Sequence, residues 1–170
     1  MENSLIYDAR NSIALNAIRS GFDRVVWFDS DMKIPKDTLI RLMEDMDKGL
    51  EFVSGVYYQK TTLPKPVLYE NVWYKVTENE AQAGAKQIKT MPHPAGLFEI
   101  GGAGFGCCIT SATMLKKLID RWGAPFTPMM GLGEDMAFCW RAAQLGIKMY
   151  ADNRILCGHI GTKIYDGADD

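Results

Sequence analysis

Three observations predict an α/β fold, a mixed sheet flanked by helices. Short apolar runs rich in β-branched residues alternate with segments whose apolar residues recur at helical spacing. Glycines follow these helical segments as stops, at Gly21, Gly49 and Gly146. The run Arg24-Val25-Val26-Trp27-Phe28 then switches abruptly to Asp29-Ser30-Asp31, the pattern of a buried strand that presents two carboxylates at its carboxyl end, where open α/β sheets bind ligands.

The first helix is expected to begin near Ser4, to carry Ile6, Ala9, Ile13, Ala17 and Ile18 on one side, and to stop at Gly21. After the Asp-Ser-Asp strand, Ile34-Pro35 opens a second helix with Leu39, Leu42, Met43 and Met46 at helical spacing. Phe52 to Tyr58 reads as a strand, and the prolines at 64 and 66 make 61–66 a loop. Val67-Leu68-Tyr69 and Val72 to Val76 suggest a small antiparallel excursion, with the polar stretch from Glu78 to Lys89 as an exposed connection or short helix. Leu97 to Ile100 and Gly106 to Thr110 are strands around a glycine-rich turn, followed by a helix from Ser111 towards Trp122. Pro125 and Pro128 keep the next segment irregular. A helix after Gly133 is expected to show Met136, Cys139, Trp140 and Ala143 on one face. Two last strands, Ile147 to Ala151 and Arg154 to Cys157, precede Gly158-His159, and the acidic last residues are expected to be disordered.

A chain of 170 residues suits one domain, 1–170. Apolar residues at 47% and charged residues at 24% are those of an ordinary globular protein. The net charge of −2 offers no broad basic field, so neither nucleic acid nor an anionic membrane is an expected partner. The N-terminal residues lack the pattern of a secretory signal, and no segment is long and apolar enough to predict a membrane span. Cys107, Cys108, Cys139 and Cys157 have no zinc-like spacing and lie in apolar segments, which predicts reduced core thiols and a cytoplasmic location.

Two close carboxylates at a strand end suit a hard divalent cation shared with phosphate oxygens. Two other motifs with the same opening residues fail: a calcium loop needs Asp or Asn at 33 and Gly at 34, where this chain has Lys33 and Ile34, and Lys33 also departs from an aspartyl-phosphate phosphatase pattern. Gly131-Leu132-Gly133-Glu134-Asp135 brings two more acids to the first turn of a helix. Helix-end electrostatics alone accounts for such acids at about 0.3–1 kcal/mol each; the functional alternative is a general base for an attacking hydroxyl. His159, between Gly158 and Ile160, is an ordinary histidine in isolation, but with two carboxylates it would complete half an octahedron for Mn²⁺ or Mg²⁺. Gly101 to Gly106 lacks the Gly-x-Gly-x-x-Gly spacing of a dinucleotide loop. Its Gly102 and Gly104 either let backbone approach a donor sugar or acceptor, or form a plain turn. Trp73, Tyr57, Tyr58 and Phe105 are candidates for stacking on sugars or for core packing.

In order, Ala9-Arg10-Asn11, Val25 to Asp31, Pro35 to Leu39, Gly55 to Tyr58, Gly102-Ala103-Gly104, Gly133-Glu134-Asp135 and Gly158-His159 resemble the nucleotide-sugar glycosyltransferases of the GT-A fold, especially the family 2-like enzymes. The resemblance covers most of the chain. It implies a GT-A-like, Rossmann-like sheet and a metal site of Asp29, Asp31 and His159. It also implies Asp135 as base in an inverting transfer and Glu134 as its support or an acceptor contact. Donor contacts are expected from Asp29, Asp31, Gly102, Gly104 and Lys163, with Lys163 and Tyr165 closing over the diphosphate of a nucleotide-diphosphate sugar.

The chain starts at what resembles the helix just before the Asp-x-Asp strand, so an N-terminally truncated fold without the nucleotide-binding unit is expected. The sheet edge left open predicts a homo-oligomer that covers it. Two alternatives accompany the glycosyltransferase reading. One is a non-catalytic GT-A-like binding or scaffold domain; the other is a nucleotidyltransferase, whose basic glycine-rich phosphate loop is not found near the start.

Overall fold

The computed structural model describes residues 5–161 and the backbone of 164–165. The elements are α1 (Ile6–Arg19), β1 (Arg24–Phe28), β2 (Met32–Lys33), α2 (Thr38–Met46), β3 (Phe52–Val56), β4 (Leu68–Val76), β5 (Ala81–Gln87), β6 (Leu97–Ile100), β7 (Gly102–Ala103), β8 (Cys107–Ser111), α3 (Ala112–Trp122), α4 (Glu134–Gln144), β9 (Met149–Leu156), β10 (Gly158–Ile160) and β11 (Ile164–Tyr165). The result is a mixed α/β fold, a multi-stranded sheet flanked by helices. The main sheet runs β1-β8-β3-β9-β6, with β3 and β9 parallel and the other neighbours antiparallel. Two small sheets, β11-β10-β2 and β5-β4-β7, stand beside it.

The core is aromatic where helix meets sheet. Phe126 and Phe138 stack at 4.5 Å, and Phe105 sits edge-on to both at 4.9 Å. Trp27 from β1 joins them and donates its indole N–H to Thr110 Oγ1 at 2.9 Å, so its one polar atom is satisfied inside. Phe105 is fully buried and Tyr57 nearly so, which makes both packing residues. All four cysteines are free and buried, as expected.

The helices bury somewhat different faces from those expected. On α1 the buried residues are Arg10, Ala14 and Ala17, with Ile6 and Ile13 exposed; the expected start at Ser4 lies outside the described residues. On α2, Leu42 and Met46 are buried as expected, while Leu39 and Met43 are exposed. On α4, Ala137, Phe138, Arg141 and Ala142 join Cys139 inside, and Ala143 is exposed. Arg141 accounts for that rotation: its guanidinium donates to the carbonyls of Pro125 and Thr127 at 2.6 Å each, pinning the proline-containing loop.

Two strand expectations are corrected. The polar stretch from 78 contains β5, which pairs with β4 from Tyr69↔Gln87 to Val76↔Ala81. Backbone pairing outweighs the weak side-chain pattern there, and Gly84 leaves room for the Trp73 ring, whose nearest atom would lie 2.5 Å from an added Cβ. The two final strands are one, β9, which passes through Asp152 and Asn153 because their polar atoms are satisfied while buried. Asn153 accepts from Gly96 N–H at 2.6 Å and donates to Pro92 O at 2.8 Å, and Asp152 accepts from Arg154. The expected terminal disorder falls outside the described residues. None of the helices among the described residues is long and apolar enough to cross a membrane.

Candidate functional site

The carboxyl end of β1 is where the fold gathers its acids. After Phe28 the backbone turns tightly: Asp29 N–H donates to Gly106 O at 3.1 Å, and Met32 N–H donates to Asp29 O at 3.2 Å. The two-residue β2 then pairs with β10, His159 opposite Met32, and Ile160 N–H donates to Asp31 O at 2.7 Å. That short ladder carries His159 to Asp31.

His159 Nε2 lies 3.5 Å from Asp31 Oδ2, and His159 Nδ1 lies 2.8 Å from the Tyr58 carbonyl oxygen. A carbonyl only accepts, so Nδ1 carries a proton and Nε2 is the ring nitrogen that faces the carboxylate. The carboxylate calls for a positive charge beside it. Lys60 supplies one, its Nζ 2.5 Å from Asp31 Oδ2. The Lys60 hydrogen bond and charge, aided by His159 and opposed by burial, hold the Asp31 carboxyl below the usual carboxylate range. The Tyr57 ring packs edge-on against the imidazole at 5.4 Å and fixes its tilt.

Arg10 organises a second cluster. From the buried face of α1 its guanidinium reaches Asp29 at 3.1 Å, Glu134 at 3.3 Å and, in close contact, Asp135, while lying 5.3 Å from the centre of the Phe105 ring. Burial works against its charge, but the carboxylates of Asp135 and Asp29 more than compensate and raise its pKa. Asp135 sits in the first turn of α4, whose N-cap is Gly133. Its other oxygen accepts the Phe105 N–H at 3.3 Å. Burial, with the charges of Glu134 and Asp29 added, pushes the Asp135 carboxyl up to about 6 against the pull of Arg10 and the Phe105 N–H. A helix N-terminus alone favours the ionised acid, so the upward shift shows that burial dominates.

Tyr57 joins the two clusters. Its hydroxyl accepts the Gly106 N–H at 3.2 Å beside the loop that contacts Asp135, while its ring touches His159. A Cβ at Gly104 would lie 2.1 Å from that hydroxyl and one at Gly106 would lie 2.8 Å from the ring. At Gly102 a Cβ would meet Val72 at 2.9 Å and Cys139 at 3.1 Å. Gly102 and Gly104 are therefore explained by packing within the chain.

The fold thus brings Asp31 to His159, and Asp29 to Glu134 and Asp135. It does not bring Asp29 to Asp31 and His159 as a set of three ligands: Asp29 faces Arg10, and among the described residues no group of three His, Cys, Asp or Glu side chains is placed to hold one ion. Asp31 and His159 do fit a cation as a pair, because Nδ1 is tied to a carbonyl and Nε2 is left for a metal, the usual outer support of a ligating histidine. Lys163 and the side chain of Tyr165 lie outside the described residues. Sequence reasoning missed the roles of Arg10 and Lys60. A charged residue in step with Ala14 and Ala17 on the buried face of α1 was a usable sign for Arg10, whereas a lysine in a polar loop carries none.

No family model matches the chain, and no curated protein does. Among solved structures it is similar to one described as the crystal structure of A197 from STIV, with TM-score 0.66 and 19% identity over 99% of this chain and 78% of that one. At that identity the likeness is one of fold.

Proposed function

We propose that the chain is a metal-dependent glycosyltransferase of GT-A-like architecture that moves a sugar from a nucleotide-diphosphate donor to an acceptor hydroxyl. The observation that carries the reading is the Asp31–His159 pair, whose facing oxygen and nitrogen lie 3.5 Å apart at the end of the strand that also holds Asp29. Asp31 and His159 would hold Mn²⁺ or Mg²⁺, which would supply positive charge to the diphosphate leaving group.

Asp135 is the base in this reading. Its carboxylate takes the acceptor hydroxyl proton as the new bond to the anomeric carbon forms and the bond to diphosphate breaks, with inversion. A carboxyl pushed up to about 6 is a stronger base than an ordinary aspartate and still ionised at neutral pH. Arg10 keeps it charged and oriented, and Glu134 contacts the acceptor. One observation favours the second reading, a non-catalytic binding domain: Arg10 and the Phe105 N–H engage both oxygens of Asp135. Four free buried thiols support a reducing compartment, the cytoplasm. The outer edge of β1, which has no strand partner among the described residues, supports self-association.

Titration with Mn²⁺ and a panel of nucleoside diphosphates tests the reading. Metal-dependent binding of at least one of them is expected, with at least a tenfold loss in Asp31→Ala and in His159→Ala. Absence of binding, or binding indifferent to both substitutions, overturns it. Slow hydrolysis of a matching nucleotide sugar that disappears in Asp135→Asn separates the enzyme from the binding domain.

A further inference from the structure

Lys60 belongs to neither the acids nor the base, yet it makes the closest charged contact in the exposed half of the site, 2.5 Å from Asp31 Oδ2. The same oxygen faces His159 Nε2 at 3.5 Å. One carboxylate oxygen therefore faces both an ammonium and an imidazole nitrogen, the place a divalent cation would take between them.

The loop that carries Lys60 is tied at its base to the same histidine. Gln59 N–H donates to Lys65 O at 2.9 Å, Tyr58 bridges to Pro66, and the Tyr58 carbonyl holds His159 Nδ1. The Lys60 side chain itself is one-third exposed at the end of a flexible stem, so it can leave Asp31 without disturbing that base.

Resting on the metal-binding reading above, we propose that Lys60 is a built-in competitor and relay. Its ammonium neutralises Asp31 until a divalent cation displaces it, and then pairs with a phosphate oxygen of the diphosphate that accompanies the cation. The physical basis is charge balance. An exposed lysine–carboxylate pair is weak, so a divalent ion outcompetes it, and the released ammonium is left beside the anionic ligand that the ion brings.

The consequence is two changes of opposite sign from one substitution. In Lys60→Met, Mn²⁺ alone, followed by the electron paramagnetic resonance of the free ion, should bind about fivefold tighter than to the unaltered chain, because the competitor is gone. Pyrophosphate added at saturating Mn²⁺, followed by calorimetry, should bind about tenfold weaker, because a charge-assisted hydrogen bond is lost. Lys60→Arg, which keeps the charge, should retain the unaltered affinity for Mn²⁺ to within about twofold. Unchanged Mn²⁺ affinity in Lys60→Met, or both affinities moving the same way, overturns the role of Lys60 while leaving the metal site standing. No Mn²⁺ binding to any of the three chains overturns the metal-binding reading and this role with it.

Discussion

Two arginines in this molecule each gather a set of carboxylates, and they do so inside out with respect to one another. At Arg10 the cation is sealed, its side chain 6% exposed, while Asp29, Glu134 and Asp135 keep 25–41% of theirs in solvent. At Arg154 the acids are sealed, Asp45 and Asp152 at 0%, and the cation is 38% exposed. Arg154 meets Asp152 at 2.7 Å and Asp45 at 3.3 Å, with Lys48 also on Asp45. Burial and the neighbouring Asp152 push Asp45 up; Arg154 and the backbone pull Asp152 down despite its burial. The second arrangement staples α2 to β9 and offers nothing to a ligand, whereas the first turns three acid faces outward around a fixed positive centre. Orientation relative to solvent, rather than the number of charges, separates a candidate site from a structural tie.

The largest expected effect tests that contrast directly. Arg154→Met leaves Asp152 buried without its cation and should cost about 3 kcal/mol in urea unfolding at pH 7. The loss should shrink in acid, because the stability supplied by a carboxyl with a lowered pKa is present above the ordinary carboxylate range and disappears as pH falls through its value in the folded chain. Arg10→Met should cost less, about 1–2 kcal/mol, since water can reach Asp29 and Glu134 among the acids it abandons. Equal losses at the two arginines would erase the distinction.

Asp135→Asn comes next and should stabilise the protein. A carboxyl raised from 3.8 to about 6 holds its proton more tightly when folded, so its contribution is most favourable below about pH 4 and is lost as pH rises through about 6. Removing the charge should therefore gain about 1–3 kcal/mol at pH 8 and almost nothing at pH 4, measured by urea unfolding at both. A loss of stability at pH 8 would make Asp135 a tie like Asp152.

The smallest effect concerns association. The outer edge of β1 has no strand partner among the described residues and lies beside a cavity of about 410 Å³ lined by Ile13, Ala17, Phe22 and Val26, with Phe22 62% exposed. Sedimentation at high concentration should show self-association that Val26→Lys weakens, as a charge on an open edge discourages strand pairing. A strictly monomeric profile removes the oligomer from the proposal.

The acids were legible from the sequence because a strand ending in Asp-Ser-Asp and a helix opening with Glu-Asp are local patterns. The identity of their partners was not. Arg10 meets Asp135 across 125 positions of sequence, and only the folded arrangement, with α1 packed on α3 and β1, creates that contact. Helix faces went astray where a polar residue was buried with full hydrogen bonding, as at Arg141, since periodicity counts apolar residues. The same blindness split β9 at Asp152-Asn153. β5 escaped notice because a ladder along β4 specifies it, and a backbone ladder leaves little trace in residue type.

The short pairing of β2 with β10 has a consequence for how the protein reaches its working form. It joins Met32 to His159, far apart in sequence, and closing so long a loop through two paired positions gains little until β8 and β3 join β1 to β9 in the main sheet. The Asp31–His159 pair should therefore be among the last features to assemble in refolding. An ion that prefers the assembled pair would draw the whole equilibrium towards the native state by mass action, so Mn²⁺ should raise the melting temperature of the entire domain. In that sense the cation would act as an inspector of completed folding, engaging only chains in which Asp31 and His159 have found each other.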